Sequence, residues 1–239
     1  MTETASRSAS PSAKNPVIAA FGDSLTRGDG STPETSSAYV DVLARRLGIP
    51  IRNRGISGNR LLCDGYGPSG LSRFAADVLA DPDITHVILE LGVNDIGLAG
   101  VEGTTAPTAE TIIEGLGALA DQATAAGIVA IGATLTPNRG TRYPGFFSED
   151  GERTRQAVNA WIRNTGCFAA VLDIDLALRD SEHADRIAPA FDYGDGLHPN
   201  DAGHQAIAGA FDATVLDATA LDEAGREPVL CETPSSFSA

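Results

Sequence analysis

The chain has 239 residues with a formal net charge of −15, and 42% of its residues are hydrophobic. This length is enough for one domain with a full hydrophobic core, and no apolar run approaches the ~20 residues of a membrane-spanning helix, so we expect a soluble protein. The negative charge repels polyanions, which argues against nucleic acid or anionic membrane surfaces as partners.

Apolar runs and helical periodicity alternate along the chain. Strands are predicted at 17–21, 49–56, 85–91, 128–131 and 168–174, and helices at 37–47, 71–79, 108–126, 151–165 and 202–216. This alternation predicts βαβ units, whose right-handed crossovers give a parallel sheet covered by helices on both faces. No internal repeat is visible, and residues 16–220 are predicted to form a single domain.

The two ends of the sequence carry little pattern. Residues 1–15 are rich in Ser, Thr and Ala and have no apolar stretch, so we expect a disordered N-terminal arm rather than a secretory signal. Residues 221–239 are predicted to be a C-terminal tail. As written, the sequence predicts a cytoplasmic protein, whereas a signal removed ahead of it would make the protein secreted.

Three cysteines, Cys63, Cys167 and Cys231, are too few and too scattered for a metal cluster or a disulfide framework. One bridge with one free thiol fits this pattern, and three free thiols fit it equally well.

Polar residues follow the predicted strands at the positions where a parallel sheet gathers its reactive groups, the carboxyl ends of the strands. The segments concerned are 22–26, 57–59, 92–95 and 134–137, together with 195–198 in the loop before the last helix. Between them they contain every polar group that acyl transfer requires.

Ser24 is the candidate nucleophile. A serine hydroxyl is weakly nucleophilic and needs a base within hydrogen-bond reach, itself oriented by a third group. His198 is the candidate base, and Asp195, three residues earlier, can reach its Nδ1–H within one turn. Asp192 competes for the same role, but its spacing to His198 is less natural. The alternative for Ser24 is a helix-capping residue.

The tetrahedral intermediate of acyl transfer needs donors directed at its oxyanion, and loss of one typically costs ~10²–10³ in turnover. The candidates are the backbone N–H groups of Ser24 and Gly58 and the side-chain amide of Asn94. Asparagine in a loop is often only a turn former, so the role of Asn94 depends on the other motifs. Asp23 and Asp95 are interpreted as groups that brace the loops.

Four short motifs follow one another along the chain: Phe21-Gly-Asp-Ser-Leu25, Gly58-Asn59, Gly92-Val-Asn-Asp95 and Asp195-Gly-Leu-His-Pro199. They resemble the four sequence blocks of the SGNH (GDSL) hydrolases, in the same order. The resemblance covers residues 17–216 and implies a three-layer α/β/α, flavodoxin-like fold with a five-stranded parallel sheet, ester hydrolysis, and no metal or cofactor. More loosely, residues 53–62, 94–97 and 134–137 are similar to the branch with carbohydrate O-acetylesterases.

The sequence therefore predicts a serine esterase that releases short acyl groups, with O-acetyl groups on saccharides as one substrate class. A lipase, lysophospholipase or thioesterase would use the same groups and differ only in its acyl pocket. The candidate wall residues are Phe146, Phe147, Trp161 and Tyr193, although aromatic residues as often belong to the core. A non-catalytic flavodoxin-like binding module is the alternative from a different class. The oligomeric state is not predicted.

Three further patterns point to other chemistry. Residues 65–70 match G-x-G-x-x-G, but they do not lie on the first βα turn and are interpreted as a turn. Asp195, His198 and His204 would make an incomplete metal-ligand set. The Ser–Asp–His order also occurs in α/β-hydrolases, but no serine here lies in a G-x-S-x-G elbow. His86 is interpreted as a structural residue, and His183 and His204 are interpreted as surface residues.

Overall fold

A computed structural model describes residues 15–217 and Cys231. Within these residues, five strands form one sheet: β1 (Ile18–Gly22), β2 (Ile51–Gly55), β3 (His86–Glu90), β4 (Val129–Ala133) and β5 (Ala170–Leu172). All neighbouring strands are parallel, and their order is β2-β1-β3-β4-β5. This is the flavodoxin-like order, so the predicted five-stranded parallel sheet is confirmed.

The described part of the chain contains eight α-helices, of which the last two follow β5. They are α1 (Ser24–Arg27), α2 (Tyr39–Leu47), α3 (Gly70–Phe74), α4 (Val93–Glu102), α5 (Ala109–Ala125), α6 (Glu149–Asn164), α7 (Ile174–Leu178) and α8 (Asp201–Gly209). A π-helical turn (Ala75–Leu79) continues α3, and a 3₁₀ turn (Ala213–Asp217) follows α8. None of the described helices combines the length and the apolar character that crossing a membrane requires.

The core lies on both faces of the sheet. Successive residues of a strand point to opposite faces, and β1 shows this clearly. Ala19 and Phe21 belong to an apolar cluster with α3, α5 and α6. Ile18 and Ala20 belong to a second cluster with α2, α7 and α8. The sheet is therefore covered on both sides, as the three-layer α/β/α prediction requires.

Helices α4 and α7 were not predicted from periodicity. Glycine is a poor helix former, and α4 contains two glycines that its packing requires. A Cβ at Gly97 would lie 2.4 Å from the ring of Phe146, and one at Gly100 would lie 2.1 Å from the carbonyl oxygen of Gly145. The close contact between α4 and residues 145–146 therefore explains why α4 contains glycines, and these glycines weaken the helical pattern in the sequence.

The predicted helix 202–216 is divided in two. Helix α8 ends at Gly209, and the 3₁₀ turn starts at Ala213. Between them, the Asp212 carboxylate accepts hydrogen bonds from the Thr214 N–H (2.9 Å) and Thr214 hydroxyl (2.8 Å). This local bonding offers the backbone an alternative to a continuous helix.

The cysteines form one bridge, between Cys167 and Cys231, and leave Cys63 free and exposed. Cys231 lies against α5, where its N–H donates to Asp121 Oδ1 at 3.2 Å and its Cβ lies 3.2 Å from the Cβ position of Gly117. Of the predicted 221–239 tail, all other residues lie outside the described part, as do residues 1–14 of the predicted N-terminal arm.

Candidate active site

The site lies at the topological switch point of the sheet, where successive strands are added on opposite sides of β1. The chain passes from β1 to β2 on one side of the sheet and from β3 to β4 on the other, which leaves a crevice at the carboxyl ends of the adjacent strands β1 and β3. Ser24 follows β1, Asn94 follows β3, and Gly58 lies in the loop after β2. Three segments that are distant in the sequence thus meet at one edge.

The turn from β1 into α1 presents Ser24. Asp23 is the N-cap of α1, and its Oδ1 accepts the Leu25 N–H at 3.0 Å. Only glycine fits immediately before it, because a Cβ at Gly22 would lie 2.1 Å from Thr26 Oγ1. This tight turn places the Ser24 hydroxyl at the bottom of a cleft, with the residue 4% exposed.

Ser24, His198 and Asp195 form a continuous hydrogen-bonded chain. His198 Nε2 lies 2.9 Å from Ser24 Oγ, and Nδ1 lies 2.7 Å from Asp195 Oδ2. The backbone N–H groups of Leu197 and His198 donate to Asp195 Oδ1 at 3.0 and 2.9 Å. With the Nδ1 proton directed at the carboxylate, Nε2 is left to accept the hydroxyl proton of Ser24.

The charges of this chain suit proton transfer. Burial acts to raise the pKa of Asp195, but the hydrogen bonds from the His198 side chain and backbone outweigh it and lower the pKa to about 2. Burial acts to lower the pKa of His198, whereas the hydrogen bond and charge of Asp195 prevail and raise it. Asp195 is therefore ionised at neutral pH, and its charge favours the protonated form of His198.

The loop that carries Asp195 and His198 is fixed by Asp192. Its Oδ1 accepts the backbone N–H groups of Gly194 (2.7 Å) and Gly196 (3.0 Å). Gly196 has φ +70°, a conformation that favours glycine. Asp192 therefore braces the loop, and of the two competing acids only Asp195 bonds to the imidazole.

Two backbone donors in the cleft are available. In the part of the chain that the structure describes, the N–H groups of Ser24 and Gly58 donate to no other protein group. Gly58 has φ +73°, and a Cβ there would lie 2.7 Å from the ring of Tyr66. The backbone at Gly58 thus requires glycine on two counts, conformation and space.

The amide of Asn94 is held from two sides. Its Nδ2 donates to Asp23 Oδ2 at 3.0 Å and to the carbonyl oxygen of Asn59 at 3.2 Å. Asn94 also lines the cleft with Ser24 and Gly58. The three predicted oxyanion donors are thus brought together, although the Asn94 amide already has acceptors.

The cleft beside Ser24 is small and mainly apolar, with a volume of about 320 Å³. Its apolar wall consists of Leu98, Val101, Pro144, Phe146 and Leu197. Asn94, Leu98 and Val101 occupy positions i, i+4 and i+7 of α4 and so share one face of that helix. One helix therefore supplies both a polar group near Ser24 and much of the apolar wall.

A second, larger groove of about 920 Å³ lies on the other side of His198. It is more polar than the cleft, and its lining includes Arg27, Asp29, Thr32, Asn200 and Asp201. Asp29, Tyr143 and His198 line both the cleft and the groove. The hydrogen-bonded chain from Asp195 to Ser24 is thus accessible from two differently lined sides.

Tyr143 is a site residue that sequence reasoning missed. Its hydroxyl donates to Asp195 Oδ2 at 3.3 Å, and its ring meets the His198 ring edge-on, with centroids 6.4 Å apart. It lies in the loop after β4, so the rule about carboxyl ends of strands could have identified it. In contrast, residues 134–137, which follow β4 directly, line neither the cleft nor the groove.

The four candidate wall residues have different positions. Phe146 lines the cleft and Tyr193 the groove. Phe147 instead lies under the Arg139 guanidinium at 4.4 Å, and Trp161 packs edge-on against Phe168 at 5.6 Å. Neither of these two lines the cleft or the groove.

The structure corrects one interpretation and clarifies others. His204 is fully buried rather than on the surface, because Nδ1 accepts the Tyr39 N–H and Nε2 donates to the Asp29 carbonyl oxygen, each at 3.2 Å. Asp95 braces a loop through the N–H groups of residues 61 and 62, at 2.7 and 2.9 Å. Residues 65–70 are preceded by a loop rather than a strand. Among the described residues, no three His, Cys, Asp or Glu side chains are grouped as metal ligands.

Comparison with known proteins identifies a family. The chain matches the GDSL-like Lipase/Acylhydrolase family over residues 20–206. A search of curated proteins gives no significant match.

Solved structures share the fold at low sequence identity. A GDSL-like lipase from Bacteroides thetaiotaomicron VPI-5482 is 18% identical, with a TM-score of 0.65 over 85% of this chain and 88% of that one. A carbohydrate acetylesterase from Sinorhizobium meliloti is 18% identical, with a TM-score of 0.64 over 84% and 97%. The inhibitor-bound aryl esterase of M. smegmatis is also 18% identical, with a TM-score of 0.61 over 84% and 97%.

Proposed function

Since the chain belongs to the GDSL-like lipase/acylhydrolase family, we propose that this carboxylic ester hydrolase uses Ser24 as its nucleophile, His198 as general base and acid, and Asp195 to orient His198. The observation that carries this assignment is the unbroken chain of hydrogen bonds, 2.7 Å from Asp195 to His198 and 2.9 Å from His198 to Ser24. Such a chain is what a serine nucleophile requires for activation.

In the first half of the reaction, Ser24 Oγ attacks the ester carbonyl carbon while His198 Nε2 takes the hydroxyl proton. Collapse of the tetrahedral intermediate breaks the bond to the alcohol oxygen, which receives that proton from His198. Water then repeats the sequence on the acyl-enzyme, again with His198 as base, and releases the carboxylic acid and the Ser24 hydroxyl.

Charge develops on the carbonyl oxygen, and the unengaged N–H groups of Ser24 and Gly58 are suited to receive it. Asn94 acts as a third donor when this oxygen replaces the Asn59 carbonyl as acceptor of one amide hydrogen. That bond is the longer of the two amide contacts, 3.2 Å against 3.0 Å to Asp23. Replacing it therefore leaves the shorter bond to Asp23 in place.

The positions of these donors also determine where the acyl part and the alcohol part of the ester bind. Gly58 and Asn94 line the small cleft, so the carbonyl and its acyl chain lie there. Its volume of about 320 Å³ is near the lower end of ligand pockets, which favours short acyl groups over the long chains of a lipase. The alcohol part lies in the larger and more polar groove beside His198.

A saccharide is the alcohol that suits this groove. Three of the four tyrosines in the chain are exposed, and all three line the cleft or the groove: Tyr66, Tyr143 and Tyr193. Aromatic faces beside carboxylates and amides offer both stacking and hydrogen bonds to a polyhydroxylated ring. One structural neighbour is a carbohydrate acetylesterase, which agrees with an O-acetylated saccharide as substrate.

The nucleophile is tested with Ser24→Ala. We expect p-nitrophenyl acetate hydrolysis to fall to the background rate, with an unchanged circular dichroism spectrum. Ser148→Ala is the matched control, because Ser148 caps α6 away from the cleft, and we expect it to remain active. Persistent turnover by the Ser24 variant would overturn the assignment.

A fluorophosphonate probe separates an esterase from a binding module. We expect covalent labelling of the wild-type protein at Ser24 and none of Ser24→Ala. Absence of labelling in the wild type would favour a binding module on the same fold.

Acyl-chain length is tested with acetyl and dodecanoyl esters of one alcohol. We expect a strong preference for acetyl, and Leu98→Ala should shift the preference towards longer chains by enlarging the cleft. Leu176→Ala is the control, because this leucine is 57% exposed and lines neither the cleft nor the groove. A wild-type preference for dodecanoyl esters would replace the short-acyl assignment with a lipase.

A further inference from the structure

Two acidic side chains lie buried directly beneath Ser24. Asp23 ends the turn after β1, and Glu90 is the last residue of the adjacent strand β3. Asp23 is 0% exposed and Glu90 is 1% exposed. The strand register pairs Gly22 with Glu90, which places Glu90 next to the start of α1.

Asp23 connects two of the proposed catalytic groups. Its Oδ1 accepts the Leu25 N–H at 3.0 Å and thereby fixes the first turn of α1, which carries Ser24. Its Oδ2 accepts the Asn94 amide, also at 3.0 Å. Both oxygens therefore already accept N–H groups, which is the bonding pattern of an ionised carboxylate.

Glu90 is bonded on one side only. Its Oε2 accepts the Asp23 N–H at 3.2 Å and the Thr26 hydroxyl at 2.9 Å. Its Oε1 is buried and, among the described residues, has no hydrogen-bond partner. An unpaired buried charge costs far more than an unpaired buried neutral hydroxyl, so this oxygen is better accommodated with a proton than without one.

Among the described residues, no cation is hydrogen-bonded to either carboxyl group, although the charge of Arg73 acts on Asp23 from a distance. From α2, the Tyr39 hydroxyl bonds to Thr26 Oγ1 at 2.9 Å, and burial raises the pKa of Tyr39 so that it stays neutral. From α3, the Arg73 guanidinium bonds to the Gly22 carbonyl oxygen and to Asp77 rather than to either carboxyl group. His198 faces Asp23 from the 195–198 loop, and its own carboxylate partner is Asp195.

Burial without a bonded cation shifts the titration of both acids. It raises the pKa of Glu90 to about 7, against the lowering effect of the hydrogen bonds from Asp23 and Thr26. Burial, followed by the charge of Glu90, also raises the pKa of Asp23. Two carboxylates in one buried site cannot both be ionised, so the two groups titrate as a pair that keeps one proton. The hydrogen bonds decide which group carries it: both Asp23 oxygens already accept N–H groups, whereas Glu90 Oε1 accepts none from the described residues.

We propose that Asp23 and Glu90 hold one proton between them, carried on Glu90 Oε1, and that ionised Asp23 is a positioning residue that fixes the Asn94 amide and the turn bearing Ser24. Neutral Glu90 removes the repulsion that would otherwise displace Asp23 from these contacts. The consequence for turnover rests on the proposed function of Asn94, whereas the consequence for stability does not.

The proton makes both turnover and stability depend on pH. Loss of it at alkaline pH adds a second negative charge near Asn94, where the oxyanion forms, so turnover falls. The folded pKa of Glu90, about 7, lies above the ordinary value of about 4.3. The stabilising contribution of this group is therefore fully present below about pH 4.3 and is lost as the pH rises through about 7.

The test is Glu90→Gln, which is neutral at every pH, measured from pH 5 to pH 9. We expect the melting temperature of the variant, relative to wild type, to rise from pH 5 to about pH 7 and to level off above it. We also expect the alkaline decline in kcat of the wild type to move to higher pH or disappear. Glu152→Gln is the matched control, because Glu152 is buried with an arginine partner, and its difference from wild type should stay constant with pH.

Asp23→Asn tests the positioning role. We expect kcat to fall by about tenfold or more, as for partial loss of one oxyanion donor, with KM nearly unchanged. In the double variant with Asn94→Ala, the Asp23 substitution should cost little more, because its target is already absent. If Asp23→Asn does not fold, the Glu90→Gln melting curves still decide the question of the proton.

Two results would overturn the proposal. One is a melting-temperature difference between Glu90→Gln and wild type that does not change from pH 5 to pH 9. The other is an Asp23 substitution whose cost is fully additive with that of Asn94→Ala. An inactive wild-type protein whose melting difference still follows pH would instead refute the proposed function and leave the shared proton standing.

Discussion

Two buried acidic clusters lie at the carboxyl edge of the sheet, and only one of them is balanced by cations. Near β4 and β5, Arg155 bonds to Glu152 and Asp175, each at 2.7 Å, and Arg163 also bonds to Asp175. Near β1 and β3, Asp23 and Glu90 have no bonded cation among the described residues.

The difference separates a structural cluster from the candidate catalytic one. Buried charges that serve the fold are paired, since an unpaired buried charge is strongly destabilising. Titratable groups with shifted pKa values and no paired opposite charge are concentrated at functional sites, where the shift suits them to proton transfer. The unbalanced pair lies directly beneath Ser24, whereas the Arg155 cluster lines neither the cleft nor the groove.

The largest effect should come from Asp195→Asn, which tests whether the charge of Asp195 serves the reaction rather than the stability of the fold. We expect kcat to fall by about 10⁴, because the amide favours the wrong imidazole tautomer. The melting temperature should change by only a few degrees. The control is Asp212→Asn, which alters an exposed turn and should keep full activity. A large fall in melting temperature alongside the loss of activity would show that the charge of Asp195 serves the fold as well as the reaction.

Arg155→Met tests the other cluster. Removing the cation leaves Glu152 and Asp175 buried without their main partner, so we expect a loss of about 3–5 kcal/mol in the free energy of unfolding. The folded fraction should retain wild-type kcat, and urea denaturation followed by assay checks both quantities. Arg153→Met, on the exposed face of the same helix, should cost well under 1 kcal/mol, roughly the value of a surface pair. A folded but inactive Arg155 variant would show that this cluster also serves the site.

A smaller effect on activity is expected when the pH is lowered. His198 must be neutral to take the Ser24 proton, and its raised pKa means that activity is lost on the acid side at a midpoint above about 6.5. Below that midpoint, kcat/KM should fall by about tenfold per pH unit. Asp195, with a pKa of about 2, stays ionised throughout and adds no second step. A midpoint below 6.5 would show that Asp195 does not stabilise the imidazolium.

Much of the fold could be predicted because apolar runs mark buried parallel strands. The five strands, the long helix α5 and helix α6 follow directly from such patterns. Helix α4 could not be predicted, since Gly97 and Gly100 reflect contacts with a loop about 45 residues further along the chain. A rule based on local propensity contains no information about such contacts.

The candidate site was likewise predictable in part. Ser24, Asp195 and His198 could be identified from motifs at strand ends, and the structure brings them into contact, while their catalytic roles remain predictions. Tyr143 was missed because it lies ten residues beyond the end of β4, outside the segment directly after the strand, although the rule about strand ends extends to that loop. The burial of His204 could have been predicted, because in the predicted helix 202–216 it shares a face with Ile207 and Phe211.

The shared face of α4 has a consequence for how this enzyme could diversify. Asn94, Leu98 and Val101 move together whenever the helix moves, because they are one and two turns apart on a rigid element. Under the proposed function, a shift of the helix that made room for a longer acyl chain would also displace the Asn94 amide from the carbonyl oxygen. New selectivity should therefore arise by shortening side chains on a stationary helix, and variants selected for bulky esters should carry small residues at positions 98 and 101.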